Sequence, residues 1–251
     1  MSISTSLMVG AATSAVRFGS NSVPIPFSTD AFIYLDAGNT NSYPGTGNTW
    51  FDLSGNGLDA TLYGSPTHNA NGTFTLDGTD DYADLPDGFA NSFANGFSIF
   101  AIWNFGAAAY YERIVDLGQG AGDDNIIVGR KETSDTLFYQ LYNGSTSGTF
   151  VEVTNGILNS QVASYAISIN GTDGRFYRNG SLIGTQANYS DIPTNVTRTE
   201  NFIGRSNWHG SPDAISSGAM GVVIIYRRAL SVNDVETLHN NFATRYGLTA
   251  V

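Results

Sequence analysis

Cysteine is absent from this 251-residue chain, and lysine occurs once, at Lys131. Without cysteine there is no disulfide framework and no thiolate metal site, and the sequence carries no sign of passage through an oxidising secretory route. A chain of this length needs no such staple, because a compact fold of its size buries roughly 70–75% of the extended surface. Basic residues number 11 against 22 acidic ones, a net charge of −11. That balance excludes nucleic acid as an expected partner, since neutralising phosphates takes clustered Lys and Arg. The only adjacent basic pairs are Arg130-Lys131 and Arg227-Arg228. An anionic membrane surface is disfavoured on the same ground. No apolar run approaches the ~18 residues that span a bilayer, so membrane insertion is not expected. No basic residue precedes Arg17, and the first apolar stretch is broken by Ser and Thr. The start of the chain therefore reads poorly as a signal peptide.

Charged residues are scarce too, at 13%, about half the usual share. What fills their place is glycine, at 29 positions, and asparagine. Four Asn-Gly pairs, at Asn71, Asn143, Asn170 and Asn179, stand between apolar runs and have the chemistry of tight hairpin turns. Each also matches a glycosylation acceptor pattern, which the turn chemistry makes unnecessary. In GFSIFAIWNF, Phe97, Ile99, Ala101 and Trp103 alternate with Phe100 and Ile102, so both faces are apolar, and MGVVIIY repeats the pattern. Strands of this kind lie inside layered packing. With TFTL, LFYQLY, TFVEV, SYAISI and RFYRNGSLIG they predict an all-β, two-sheet antiparallel sandwich. Val235, Leu238, Phe242 and Tyr246 instead recur at helical spacing behind Ser231-x-x-Asp234, with Gly247 as the stop. This predicts a short helix over about 232–246, packed against an edge or end of the sandwich. Residues 1–28 are small, polar and non-periodic, with Pro24 and Pro26 enforcing extension. They read as an extended N-terminal arm, either a disordered leader or a strap onto a neighbouring subunit, ahead of one domain over 29–251.

FTLDGTDDYADLP with GFSIFAIWNF, ASYAISINGTDGRFYRNGSLIG, FIGRSNWHG and MGVVIIYRRALSVNDVETLHNNFATRYG together resemble, in order, the laminin-G-like branch of the concanavalin A-like superfamily. The resemblance implies a jelly-roll sandwich over roughly residues 31–247. The segment YLDAGNTNSYPGTGNTWFDLSGNGLDATLYG resembles the leader found before such domains in bacteriophage virion proteins of tails, fibres and head surfaces. It implies a virion location and partners among other virion subunits, with homo-oligomers expected.

Catalytic spacing is missing. Glucanases of the superfamily alternate carboxylates as Glu-x-Asp-x-x-Glu along one strand, at retaining distance. Here Glu112 with Asp116, and Asp234 with Glu236, come nearest; the first pair has the wrong spacing and the second opens the helix. His68, His209 and His239 have no partner at zinc-ligand spacing. Asp52, Ser54, Asn56 and Asp59 resemble the first half of a calcium loop, but Tyr63 stands where the bidentate Glu would be. A dense Asx and glycine turn accounts for the same residues. Asp77, Asp80, Asp81 and Asp84 form a second acidic cluster around an Asp-Gly turn signal. For sugar, the candidates are Asn207, Trp208 and His209, and separately Tyr110-Tyr111, because an exposed ring packs on sugar C–H groups beside amides. The expectation is a non-enzymatic structural or adhesive protein of a phage particle, with host surface glycans as possible ligands. The alternatives are a free calcium-assisted lectin and, third, a β-glucan hydrolase.

Overall fold

The computed structural model describes residues 28–87, 89, 90, 93, 95–171, 173–187, 192–208, 213 and 215–251. The arm expected over 1–28 therefore lies outside the described residues except for Ser28, which opens a 3-10 turn, Ser28–Asp30. In chain order the strands are β1 (Ala31–Asp36), β2 (Thr49–Trp50), β3 (Ala60–Tyr63), β4 (Thr67–Asn69), β5 (Thr73–Asp77), β6 (Tyr82–Asp84), β7 (Phe89–Ala90), β8 (Phe97–Phe105) and β9 (Arg113–Gly118). They continue with β10 (Ile126–Arg130), β11 (Leu137–Asn143), β12 (Thr146–Val153), β13 (Val162–Ile169), β14 (Asp173–Arg178), β15 (Ser181–Ala187), β16 (Thr197–Arg198), β17 (Glu200–Ile203) and β18 (Ser217–Tyr226). One helix, α1 (Val232–Tyr246), follows.

Two eight-stranded antiparallel sheets result, a jelly-roll sandwich. The first runs β15-β14-β13-β8-β18-β5-β4, with β1 also on β18; the second runs β12-β11-β10-β9-β17-β6-β3-β2; β7 and β16 pair apart. Period-two alternation decides which side chains enter the core. From β8, Phe97, Ile99, Ala101, Trp103 and Phe105 point between the sheets, where Val115, Leu117, Val128, Tyr139 and Leu141 meet them from the second sheet. Burial of each large side chain stabilises the fold by about 1.5–3 kcal/mol.

The opposite face of β8 and β18 carries Phe100, Ile102, Val222 and Ile224, which need cover of their own. Helix α1 supplies it, through Val235, Leu238, Phe242 and Tyr246. The helix has the expected bounds, the Ser231–Asp234 capping box and a left-handed Gly247 cap. Its position corrects the sequence expectation: α1 lies on the sheet face as a third layer, not at an edge or end. The reason is that β8 and β18 are central and apolar on both faces, so their second face has to be buried. The Phe100 and Phe242 rings stack at 5.7 Å, and Tyr246 Oη donates to the Gly72 carbonyl at 2.9 Å.

Of the Asn-Gly pairs expected to form hairpin turns, Asn179-Gly180 forms a two-residue turn with both φ positive, at 50° and 77°, between paired Arg178 and Ser181. Between β11 and β12 the register moves one residue, so that Asn143 pairs with Thr146 and the turn is Gly144-Ser145. Asn71-Gly72 sits in a three-residue loop closed by the Asn69–Thr73 pair.

Candidate functional site

On its outer face the second sheet carries a groove of about 460 Å³. Its floor follows from alternation. In β10 and β11, Ile126, Val128, Leu137, Tyr139 and Leu141 enter the core, which leaves Ile127, Phe138, Gln140 and Tyr142 facing outward. Phe150 of β12 stacks on Phe138 at 4.8 Å with planes 8° apart. One wall is the β8–β9 connection with Tyr110 and Tyr111, and the other is Trp208 from the β17–β18 connection. Trp208 is half-buried and its ring lies 5.6 Å from Tyr142. Lys131 completes the rim.

Tyr111 is held in a left-handed conformation, φ 52°, which costs a side-chain-bearing residue roughly 1–2 kcal/mol. Two contacts fix it there: its N–H donates to the Glu132 carbonyl at 3.0 Å, and its carbonyl accepts from Arg113 Nη1 at 2.6 Å. The Arg113 guanidinium also donates from Nη2 to Asp213 Oδ2 at 2.6 Å and approaches Asp116 Oδ2 at 3.7 Å. All three side chains are buried. Burial lowers the pKa of Arg113 against the opposing pull of Asp116 and Asp213, and burial raises that of Asp213.

Asp116 is the pin of the Trp208 wall. Its carboxylate accepts from Asn207 N at 2.9 Å, Asn207 Nδ2 at 3.0 Å and Asn125 Nδ2 at 2.8 Å. Trp208 N then donates to Ser206 Oγ, which itself donates to Asp213. Behind the indole lies Gly122, where an added Cβ would stand 3.6 Å from Trp208 Cζ2.

Thus Tyr110, Tyr111 and Trp208, read from sequence as two separate sites, share one groove. Asn207 does not. It is buried at 4% exposure, and its side-chain N–H₂ is spent on Asp116 and the Glu200 carbonyl; the correction is that it supports Trp208 from beneath. His209 lies outside the described residues. Sequence reasoning missed Gln140, Tyr142, Phe150 and Lys131. The available signal was LFYQLY, whose outward set is Phe, Gln, Tyr where an ordinary solvent face would carry charge.

The Asp52 loop is a turn built on its own side chains. Asp52 Oδ1 accepts from Tyr34 N and Ser54 N, and Oδ2 from Ser54 Oγ and Leu58 N. Asp59 Oδ1 accepts from Asp52 N at 2.8 Å, and Asn56 Nδ2 donates to the Phe32 carbonyl at 2.9 Å. A calcium ion would have to displace these donors, so the residues do not fit a ready-made cation site. Asp77, Asp80 and Asp81 lie together, within 4.8 Å of one another, and Asp77 and Asp81 accept backbone N–H groups of the same turn. Glu112 and Asp116 are both fully buried. Glu112 accepts from Arg130 Nε at 2.6 Å and from Ser217 N at 3.2 Å, so both carboxylates are bound into the scaffold.

A two-sheet sandwich with an aromatic groove on one outer face is a lectin-like architecture. A laminin-G-type profile described as the concanavalin A-like lectin/glucanases superfamily matches residues 77–236, and the chain belongs to that superfamily. No curated protein sequence matches it. Among solved structures it is similar to the Trypanosoma rangeli sialidase, with a TM-score of 0.60 at 16% identity over 86% of this chain and 33% of the sialidase. The same enzyme in complex with sialic acid gives 0.57 at 15% over the same shares. The binding domain of botulinum neurotoxin serotype D/C gives 0.61 at 15%, over 86% of this chain and 53% of that one. The chain thus spans a third to a half of these relatives, and at such identities the likeness is one of fold.

Proposed function

We propose that the chain is a non-catalytic, adhesive glycan-binding protein that uses the outer groove of the second sheet. The observation that carries this reading is the convergence of Tyr110, Tyr111, Tyr142, Phe150 and Trp208 around Gln140. Rings of this kind pack on the C–H faces of sugars while an amide orients the hydroxyls. Superfamily membership supports it. We further propose that the protein is displayed on a bacteriophage particle beside other virion subunits, a reading supported by the resemblance of residues 34–64 to phage leaders. The absence of turnover is proposed because Glu112 and Asp116 are committed to Arg130, Asn125 and Asn207.

Glycan-array binding by the full chain tests the groove directly. Trp208→Ala is expected to weaken binding about tenfold or more, as removal of a central aromatic anchor does, while leaving the melting temperature nearly unchanged. Wild-type affinity in that variant would place the ligand elsewhere. Release of reducing ends from β-glucan, lost on changing Glu112, would overturn the non-catalytic reading. Antibody labelling of intact particles, viewed by electron microscopy, tests the virion location.

A further inference from the structure

Resting on the glycan-binding reading, we infer that the groove takes uncharged sugars, its described residues offering no open receptor for an acid group. An acidic sugar is recognised by a cation free to meet its carboxylate or sulfate, most effectively through a bidentate arginine. Among the described residues the groove has two cations, and each already faces an acid. Arg113 is only 4% exposed and donates to Asp213 and to the Tyr111 carbonyl. Its guanidinium carbon stands 5.3 Å from the ring centres of both Tyr111 and Phe138. Turning it toward a ligand would strand buried Asp213 and Asp116 without their counter-charge. Lys131 meets Glu152 at 2.6 Å and lies over the Phe150 ring at 5.1 Å; that hydrogen bond raises its pKa.

Each cation is thus already balanced by an acid, Arg113 by Asp213 and Asp116 and Lys131 by Glu152. The whole chain, at −11, adds repulsion toward any polyanion. Among the described residues, the groups of the groove that face no partner are neutral. The phenols of Tyr110 and Tyr111, the Trp208 indole N–H and the Gln140 side-chain carbonyl have no hydrogen-bond partner among the described residues. Together they offer donors and an acceptor of the strength suited to sugar hydroxyls.

The test uses pairs of probes that share a core and differ in an acid group: lactose with α2,3-sialyllactose, and fully methyl-esterified polygalacturonate with polygalacturonate, added to a wider panel of neutral oligosaccharides. Binding is read from the quenching of Trp208, because Trp50 and Trp103 are fully buried and only Trp208 presents its ring to a groove ligand. At least one neutral glycan is expected to bind, with its acidic counterpart weaker. Affinity should be unchanged at 1 M salt, where the screening length falls to about 3 Å, and should fall at least tenfold in Tyr142→Ala, which keeps the Trp208 reporter. An acidic member binding as well as or better than its neutral partner, with affinity falling in high salt, overturns the inference and leaves the glycan reading intact. Failure of every glycan, neutral or acidic, sinks the glycan reading itself.

Discussion

Asp84 stands on β6 with Oδ1 buried and without a hydrogen-bond partner among the described residues. Burial first, then repulsion from Asp87 and Glu200, lifts its pKa to about 6, with Arg205 opposing. Between the ordinary carboxyl value and about 6 the folded chain holds a proton that the unfolded chain has released. This group's contribution to stability therefore falls as pH rises through that window and is at its least favourable above it. Asp84→Asn removes the penalty. It is expected to stabilise the protein by about 1 kcal/mol at pH 7, a figure already reduced for solvent screening of a half-exposed group, and to change little at pH 4. Thermal melts of both proteins at the two pH values check this, and an equal shift at both would show that ionisation is not the cause. Asp116 is a second residue whose effect is read elsewhere, because it touches Trp208 only through Asn207 and Ser206. Asp116→Asn places an amide N–H₂ against the donors of Asn207 and Asn125. It is expected to shift Trp208 emission and raise its quenching by acrylamide, with glycan affinity falling in step, while the emission of buried Trp50 and Trp103 stays fixed. A variant that only loses stability, with native emission and affinity below its melting point, would reduce Asp116 to a packing role.

Elements differ in how plainly they were written in the sequence. Strands β8 and β18 were legible because an apolar run on both faces is a local pattern, and α1 because its cap, stripe and stop all lie within Ser231–Gly247. The layer that α1 occupies was not legible, since it depends on which strands become central. Strands β9 and β10 were missed as well: RIVDLG and IIVGR are short and flanked by acidic and glycine-rich turns, and only their pairing with β11 and β17 makes them a groove floor. The meeting of Tyr111 with Trp208 was out of reach for the same reason, because sheet order brings together residues that no spacing connects. The role of α1 as a third layer is open to measurement. Phe242 is 1% exposed and stacks on Phe100, so Phe242→Ala leaves a cavity over the sheet and is expected to cost about 3–5 kcal/mol. Denaturant unfolding checks the value; a loss below about 1 kcal/mol, within the range of surface changes, would mean that the helix is dispensable cover.

For the molecule as a whole, the two cores divide the labour. The inter-sheet core and the core beneath α1 are both assembled from residues 31–246, while the groove lies on the face of the second sheet away from α1. Among the described residues, stability and the proposed binding are thus built on separate surfaces; the first 27 residues lie outside them. The expectation for those residues follows from that division and from their sequence, which has no periodic apolar pattern to contribute to a core. A chain beginning at Ser28 is expected to melt within about 4 °C of the full-length protein, the shift that roughly 1 kcal/mol produces in a domain of this size. It should also keep its glycan affinity, and if the segment is an assembly strap, it should lose incorporation into particles. The three readouts separate the possibilities. A large drop in melting temperature would show that the segment completes the fold, and unimpaired incorporation with unchanged melting would show that it is a leader with no part in assembly.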